Sequence, residues 1–217
     1  MAGRNQREKN MKTIAMSVLI GGIILAAGAW TPKAAAGPPP TTPPRPPKTE
    51  QKWIADLSSK SERTVITALG NLEDILKVED DAARDASPAI PAIRNLLTDS
   101  RKPVVRKAAR VLGVIHARVT DADVTSIAVL LSDKDFGTVI DGLKALRGLG
   151  AQAKSTVPQI VPLLQHKQVN VKRDACRTLA VIGNKDTIAD LQPLLQSSDA
   201  AVKKDAADAI AALRDKS

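Results

Sequence analysis

The chain has 217 residues, 43% hydrophobic and 25% charged, a globular balance that excludes a wholly disordered polymer. Aromatic side chains make up 1%, with no Tyr, one Phe and two Trp, so a core must come from Leu, Ile, Val and Ala; this argues against a β-sandwich and against sites that stack sugars or unpaired bases on rings. A single Cys and two distant His exclude an internal disulfide and a zinc site of the usual Cys and His kind, and the net charge of +9 divides into +5 for residues 1–47 and +4 for residues 48–217.

Arg4, Arg7, Lys9 and Lys12 precede an uncharged apolar run from Ile14 to Trp30, followed by Ala34-Ala35-Ala36 and Gly37. Basic region, apolar region and small-residue site in this order predict a secretory signal over residues 1–36, cut after Ala36. Ala27-Gly28-Ala29 is a second candidate site, and Met11 is a second candidate start. The competing reading is an uncleaved anchor, but the run is 17 residues with Gly21-Gly22 in its middle, short of the ~20 that span a bilayer. No Cys follows the run to carry a lipid. Both readings place the bulk of the chain outside the cytoplasm, exported to a periplasm or beyond or held there by the anchor.

Residues 37–48 form a linker, seven of whose ten positions from Pro38 to Pro47 are proline. Such a run favours polyproline II because φ is fixed and amide donors are missing. It reads as a stiff spacer of roughly 30 Å, as a PxxP ligand, or as a disordered junction.

Residues 49–217 carry a period. Leu57, Leu97, Leu131, Leu164 and Leu195 are each followed fifteen residues later by Leu72, Leu112, Leu146, Leu179 and Ile210. Four before the first set stand Trp53, Ile93, Ile127, Ile160 and Leu191; seven before stand Ile90, Val124, Val157 and Ile188, with Glu50 breaking the row. Around the second set, minus 8 is Thr64, Val104, Thr138, Val171 and Val202; minus 4 is Ala68, Ala108, Gly142, Ala175 and Ala206; plus 3 is Ile75, Ile115, Leu149, Ile182 and Leu213. Each set marks one buried helix face, so the segment predicts five helical hairpins, with the small minus 4 residues letting paired helices approach. Ser87-Pro88, Asp121 or Asp123, and Thr156 ahead of Pro158 can open first helices; Pro103, Asn170 and Asp199 sit at the heads of second helices. Pro162 and Pro193 are expected to kink first helices, and the acidic stretch 77–86 forms a longer loop or an added turn.

Leu96-Leu97-Thr98-Asp99 followed by Val104-Val105-Arg106-Lys107-Ala108-Ala109, Val171-Lys172-Arg173-Asp174-Ala175, and Val202-Lys203-Lys204-Asp205-Ala206 resemble the HEAT-repeat family, in its short bacterial form also called PBS-lyase-type repeats. The resemblance implies an all-α fold, an α-α superhelix that binds proteins and carries no reaction. It maps the family's turn aspartate to Asp99 or Asp133 and its second-helix basic residue to Arg106, Lys172 or Lys203, and implies an incomplete polar ladder, since repeat three has Val139-Ile140 there.

On a wheel at 100° per residue, minus 6 and minus 2 of the second helix point away from the buried face. Arg106, Arg110, Lys144, Arg173, Arg177 and Lys204 then form a basic stripe interrupted by an exposed Ile140, a groove for an acidic protein segment. The competing reading is a solvated face flattened by Asp141, Asp174 and Asp205 at minus 5. Charge reversal at minus 2 is expected to spare folding. His116, His166 and Cys176 read as helix-end, turn and packing residues, and Trp53 as a core or capping residue. No catalytic, cofactor-binding or metal-ligating residues are assigned. The expected activity is that of an exported, non-catalytic scaffold; a binder of an anionic polymer is the alternative, with nucleic acid not favoured, and a bilin-lyase-like cofactor-handling protein comes third.

Overall fold

The apolar periods predict helices, and helices are what form. The computed structural model describes residues 48–77, 87–115 and 119–216. The signal segment, almost all of the proline-rich linker, residues 78–86 and His116 lie outside the described residues. Five hairpins follow one another: α1 (Lys48–Asp56) with α2 (Glu62–Leu76), α3 (Ile90–Asn95) with α4 (Lys102–Val114), α5 (Asp121–Val129) with α6 (Phe136–Leu149), α7 (Val157–Ile160) with α8 (Val169–Ile182), and α9 (Thr187–Leu191) with α10 (Ala200–Arg214). No strand occurs among the described residues, and none of their helices is long and apolar enough to cross a membrane.

The first helix of repeats two to five ends in a 3-10 stretch: Leu96–Thr98, Leu130–Ser132, Val161–Gln165 and Gln192–Gln196. Pro162 and Pro193 each fall second in such a stretch, so they tighten the helix where the repeat tightens it anyway rather than kinking an α-helix. In repeat five the tightening moves burial by one residue, from the expected Leu195, which is half-buried, to Leu194.

A polar device recurs in all five turns. The residue two after the first-set Leu accepts a hydrogen bond from the backbone N–H two positions on: Ser59 Oγ from Ser61 (3.2 Å), Asp99 Oδ1 from Arg101 (2.8 Å), Asp133 Oδ1 from Asp135 (2.8 Å), His166 Nδ1 from Gln168 (3.1 Å) and Ser197 Oγ from Asp199 (3.2 Å). His166 is thus a turn residue of the same kind as Asp99 and Asp133. Asp135 and Asp199 then cap α6 and α10 by accepting from the first backbone N–H groups. At the head of α5 the N-cap is Thr120, one residue before the expected Asp121, and Asp123 accepts from the Thr120 N–H and hydroxyl, both at 2.8 Å.

Burial follows the ruler. Leu72, Leu112, Leu146 and Leu179 are fully buried, and so are Val104, Thr138, Val171 and Val202 at minus 8. Glu50, which breaks the apolar row, is buried too, with Oε2 lacking a hydrogen-bond partner. At minus 4 the lack of a side chain at Gly142 lets α6 close on its own hairpin: an added Cβ would stand 3.2 Å from Leu130 Cβ. The second helices pack on one another from α2 to α10, whereas successive first helices touch far less, so the second helices form one continuous inner layer. Their closest approach is between α4 and α6, where a Cβ at Gly113 would meet Ala145 Cα at 2.5 Å and one at Gly148 would meet the Gly113 carbonyl oxygen at 2.2 Å.

Two glycines in second helices therefore respond in opposite ways to alanine. Gly70 in α2 has nothing within 4 Å of an added Cβ, and Gly70→Ala raises stability by about 0.5 to 1 kcal/mol through backbone entropy. Gly148→Ala, although Gly148 is exposed, lowers it by about 1 to 3 kcal/mol because backbone must move. Chemical denaturation of the two variants measures both signs.

Candidate functional site

The inner face is decorated by the residues that each second helix turns away from its hairpin. Arg110, Lys144 and Arg177, at minus 2 in repeats two to four, are exposed and follow one another along the stack. Arg106 and Lys204 are also exposed, Arg173 is half-buried, and Ile140 is half-buried against the core rather than exposed as the wheel implied.

Most of the stripe is spoken for. The minus 5 residue of each second helix from α4 onward is paired with the helix before it. Lys107 reaches Glu73 at 2.5 Å, Asp141 holds Arg106 Nε at 2.6 Å, Asp174 holds Arg147 at 3.2 Å, and Asp205 holds Arg173 Nε at 2.7 Å and Arg177 at 3.1 Å. The partner alternates between minus 6 and plus 1, two helical turns apart. Where minus 6 is Ile66 or Ile140, plus 1 is Glu73 or Arg147; where minus 6 is Arg106 or Arg173, plus 1 is Gly113 or Ala180. These pairs join a minus 5 residue to the helix before it rather than a turn aspartate to a second-helix basic residue, and at repeat three, where Val139-Ile140 stands, Arg147 supplies the cation. Lys204 pairs within its own helix with Asp208 at 2.5 Å. Among the described residues Arg110 and Lys144 make no ion pair, so the uncompensated charge narrows to these two, with Arg177 beside them sharing Asp205 with Arg173.

This pairing alters one expectation. Arg177 points away from the hairpin core, yet its guanidinium neutralises Asp205, which is buried between α8 and α10, so reversing its charge does not leave the fold untouched.

One turn before Ile140 on α6 stands Phe136, the only Phe of the chain and 47% exposed, and at the same repeat position on α8 stands Val169, 39% exposed. With Ile140 they make an apolar spot at the turn end of the inner face, which the reading of minus 6 and minus 2 alone missed. The signal was available at minus 10, four residues ahead of minus 6 on the same wheel. Arg106 borders the spot, lying over Gly137, where a Cβ would come 2.8 Å from its Nη1.

The remaining candidates have structural places. The Cys176 thiol is fully buried, and burial pushes it up to about 12, which suits packing and leaves no thiolate at neutral pH. Trp53 is half-buried, packed on the core and lining a cavity of about 250 Å³ on the outer side of repeat one. No group of three or more potential metal ligands occurs among the described residues.

Residues 127–214 match the family model of HEAT repeats. This segment, which holds α6 to α10, carries HEAT repeats. No curated protein sequence matches it. Among solved structures, an engineered protein from the Northeast Structural Genomics Consortium is 25% identical, covering 75% of this chain and 80% of that one at a TM-score of 0.63. The CpcE–CpcF complex of phycocyanin lyase from Nostoc is 22% identical over 87% of this chain and 71% of that one, at 0.64. A designed armadillo repeat protein in complex with the peptide (KR)4 is 19% identical over 74% and 80%, at 0.57. These likenesses describe a HEAT and armadillo type of scaffold, a fold compatible with protein binding.

The pairs between repeats make this stack sensitive to acid. Asp123 is fully buried and joined to Arg94 of the preceding repeat by two hydrogen bonds, Nη2 to Oδ2 at 2.8 Å and Nε to Oδ1. Burial works to raise its carboxyl, but the hydrogen bonds from Arg94 and Thr120 outweigh burial and hold it below the usual carboxylate range; Lys107 and Lys77 do the same for Glu73 against its own burial. A carboxyl lowered in the folded state stabilises above its unfolded value of about 4 and loses that contribution as pH falls below it through the folded value. The unfolding midpoint should fall over this window, and by less in Asp123→Asn, which at neutral pH is already less stable by about 2 kcal/mol because Arg94 has lost its partner. Denaturation at pH 7 and below pH 4 checks both.

Proposed function

We propose that this protein is an exported, non-catalytic scaffold whose inner face holds a segment of another protein. The observation that carries this reading is the juxtaposition of two unsatisfied features on adjacent helices. Arg110 and Lys144 lie along the stack with no counter-charge, and Phe136, Ile140 and Val169 form an apolar spot nearer the turns. Water solvates the charges well, but an exposed Phe in a chain with 1% aromatic residues is the kind of anchor that binding surfaces use. The fitting partner has an acidic edge that lies along the minus 2 row and an apolar side chain that covers Phe136. The peptide in the designed armadillo neighbour and the two-protein assembly of the lyase neighbour show such scaffolds at work, and their low identity carries only the fold to this chain.

Arg110→Glu with Lys144→Glu is the informative change, since neither residue is paired and folding should survive. Using the chain from Gly37 as bait in an envelope extract of the producing cell, the partner should be retained by the unaltered protein, weakened by added salt, and weakened about tenfold or more in the double variant. Phe136→Asp should weaken a protein partner as strongly, whereas an anionic polymer held by charge alone would be indifferent to it. A partner kept by both variants places binding elsewhere.

Export rests on the order of basic, apolar and Ala-rich residues before Gly37. Protein isolated from the producing cell should begin at Gly37 on N-terminal sequencing; an intact start that needs detergent for extraction would assign an anchor instead.

A further inference from the structure

The edge of the stack away from the hairpin turns is built by the connections between repeats. There the 3-10 segment Gly150–Thr156, the end of α8 with the loop after it, and the chain beyond α10 enclose a cavity of about 460 Å³. This volume is within the range of small-molecule sites. Lys154, Lys185 and Lys216 line it, together with the side chain of Val181, which is 43% exposed, and with Asn184 and Asp186.

Lys216 is a built feature of this cavity and no loose surface cation. Its ammonium donates to the carbonyls of Val181 at 2.6 Å and Gly183 at 3.0 Å, which close the end of α8 thirty-three to thirty-five residues earlier. Two of its three N–H groups are used in this way, and one is left for the cavity. The only carboxylate in the lining, Asp186, accepts from Asn184 Nδ2 at 3.0 Å and pairs with no cation among the described residues. Elsewhere Arg94, Lys107, Arg147 and Arg173 each meet a carboxylate of a neighbouring repeat. Here three lysines line one cavity with Asp186, and none of them makes an ion pair among the described residues. Burial, and after it the charge of Lys154, lower the Lys216 ammonium below the usual lysine range.

We propose that the cavity bounded by Lys154, Lys185 and Lys216 binds a small organic anion with two or more carboxylate or phosphate groups. The fixed ammonium of Lys216 receives one acidic group at the floor. Lys154 and Lys185 come from different repeats and close on the others, and Val181 covers part of the carbon skeleton. The site is independent of the inner face: it lies on the loop edge and shares no residue with the minus 2 row.

Citrate and pyrophosphate are the probes, titrated calorimetrically into the full chain in about 0.15 M NaCl so that general screening is already present. Saturable one-to-one binding by either, with Kd below about 1 mM, is expected, and the tighter of the two names the acidic group. Lys154→Ala with Lys185→Ala should weaken that binding roughly tenfold or more while leaving the ligand-free unfolding midpoint unchanged or higher, since a like-charge contact is relieved. Arg110→Glu with Lys144→Glu should bind the probe as the unaltered protein does. Absence of saturable binding by both probes, equal binding by the Lys154 and Lys185 double variant, or loss of binding in the inner-face variant would each overturn the proposal.

Discussion

A single helical hairpin in this chain has an apolar face wider than its own two helices can cover. Each second helix is apolar toward its first helix, at minus 8, minus 4 and zero, and again toward its neighbours, through Leu69, Ala109, Leu143 and Cys176 at minus 3, all fully buried. Burial at roughly 25 cal/mol per Å² is available to these residues only if the next hairpin stacks on them, so the contact between successive second helices is the constraint on which the molecule rests. Small residues set its distance. Gly113, Ala145 and Gly148 bring α4 and α6 so close that main chain meets main chain within the layer of second helices.

Close approach has an electrostatic consequence. It buries the minus 5 residues Asp141, Asp174 and Asp205, which as carboxylates need partners, and these come from the helix before. Because minus 6 and plus 1 lie on one face two turns apart, either can serve, and the chain uses whichever carries the charge. The basic stripe is thus mostly the counterpart of buried acids. What remains for a partner is the part that the packing leaves over: Arg110, Lys144, and the apolar spot around Phe136.

The same positions differ at the two outermost faces of the described repeats. On repeat one Thr67 and Asn71 stand at minus 5 and minus 1, where repeats two to four place a paired charge and Val, Ala or Thr. Facing outward from repeat five are Lys204, Ala207, Asp208 and Ala211, with Ala207 exposed where other repeats bury Leu, Ala or Cys. Polar or small side chains thus stand on these outermost faces where interior repeats make apolar or paired contacts.

The fifteen-residue ruler, the amphipathic period and the helix-start residues made the five hairpins legible in the sequence, because they are local and a helix projects them onto one face whatever surrounds it. Leu72, Leu112, Leu146 and Leu179 occupy the buried positions that the period assigned to them. The wheel also found Arg110 and Lys144, since exposure on a helix follows from angle alone. It misjudged Ile140 and Arg177 for a common reason: whether a residue that faces away from its own hairpin is free depends on what the next hairpin brings to it, and an interval of thirty-one to forty residues carries no angular information of its own. The pairing of Asp174 with Arg147, the contact of Gly148 with the Gly113 carbonyl and the meeting of Lys154 with Lys216 are distances between residues that no period relates. The sequence by itself determined the helices, their faces and their number; which charges are spent, which are left exposed, and where three lysines share one cavity were decided by the stacking of hairpins, because only there do side chains far apart in the chain compete for the same space.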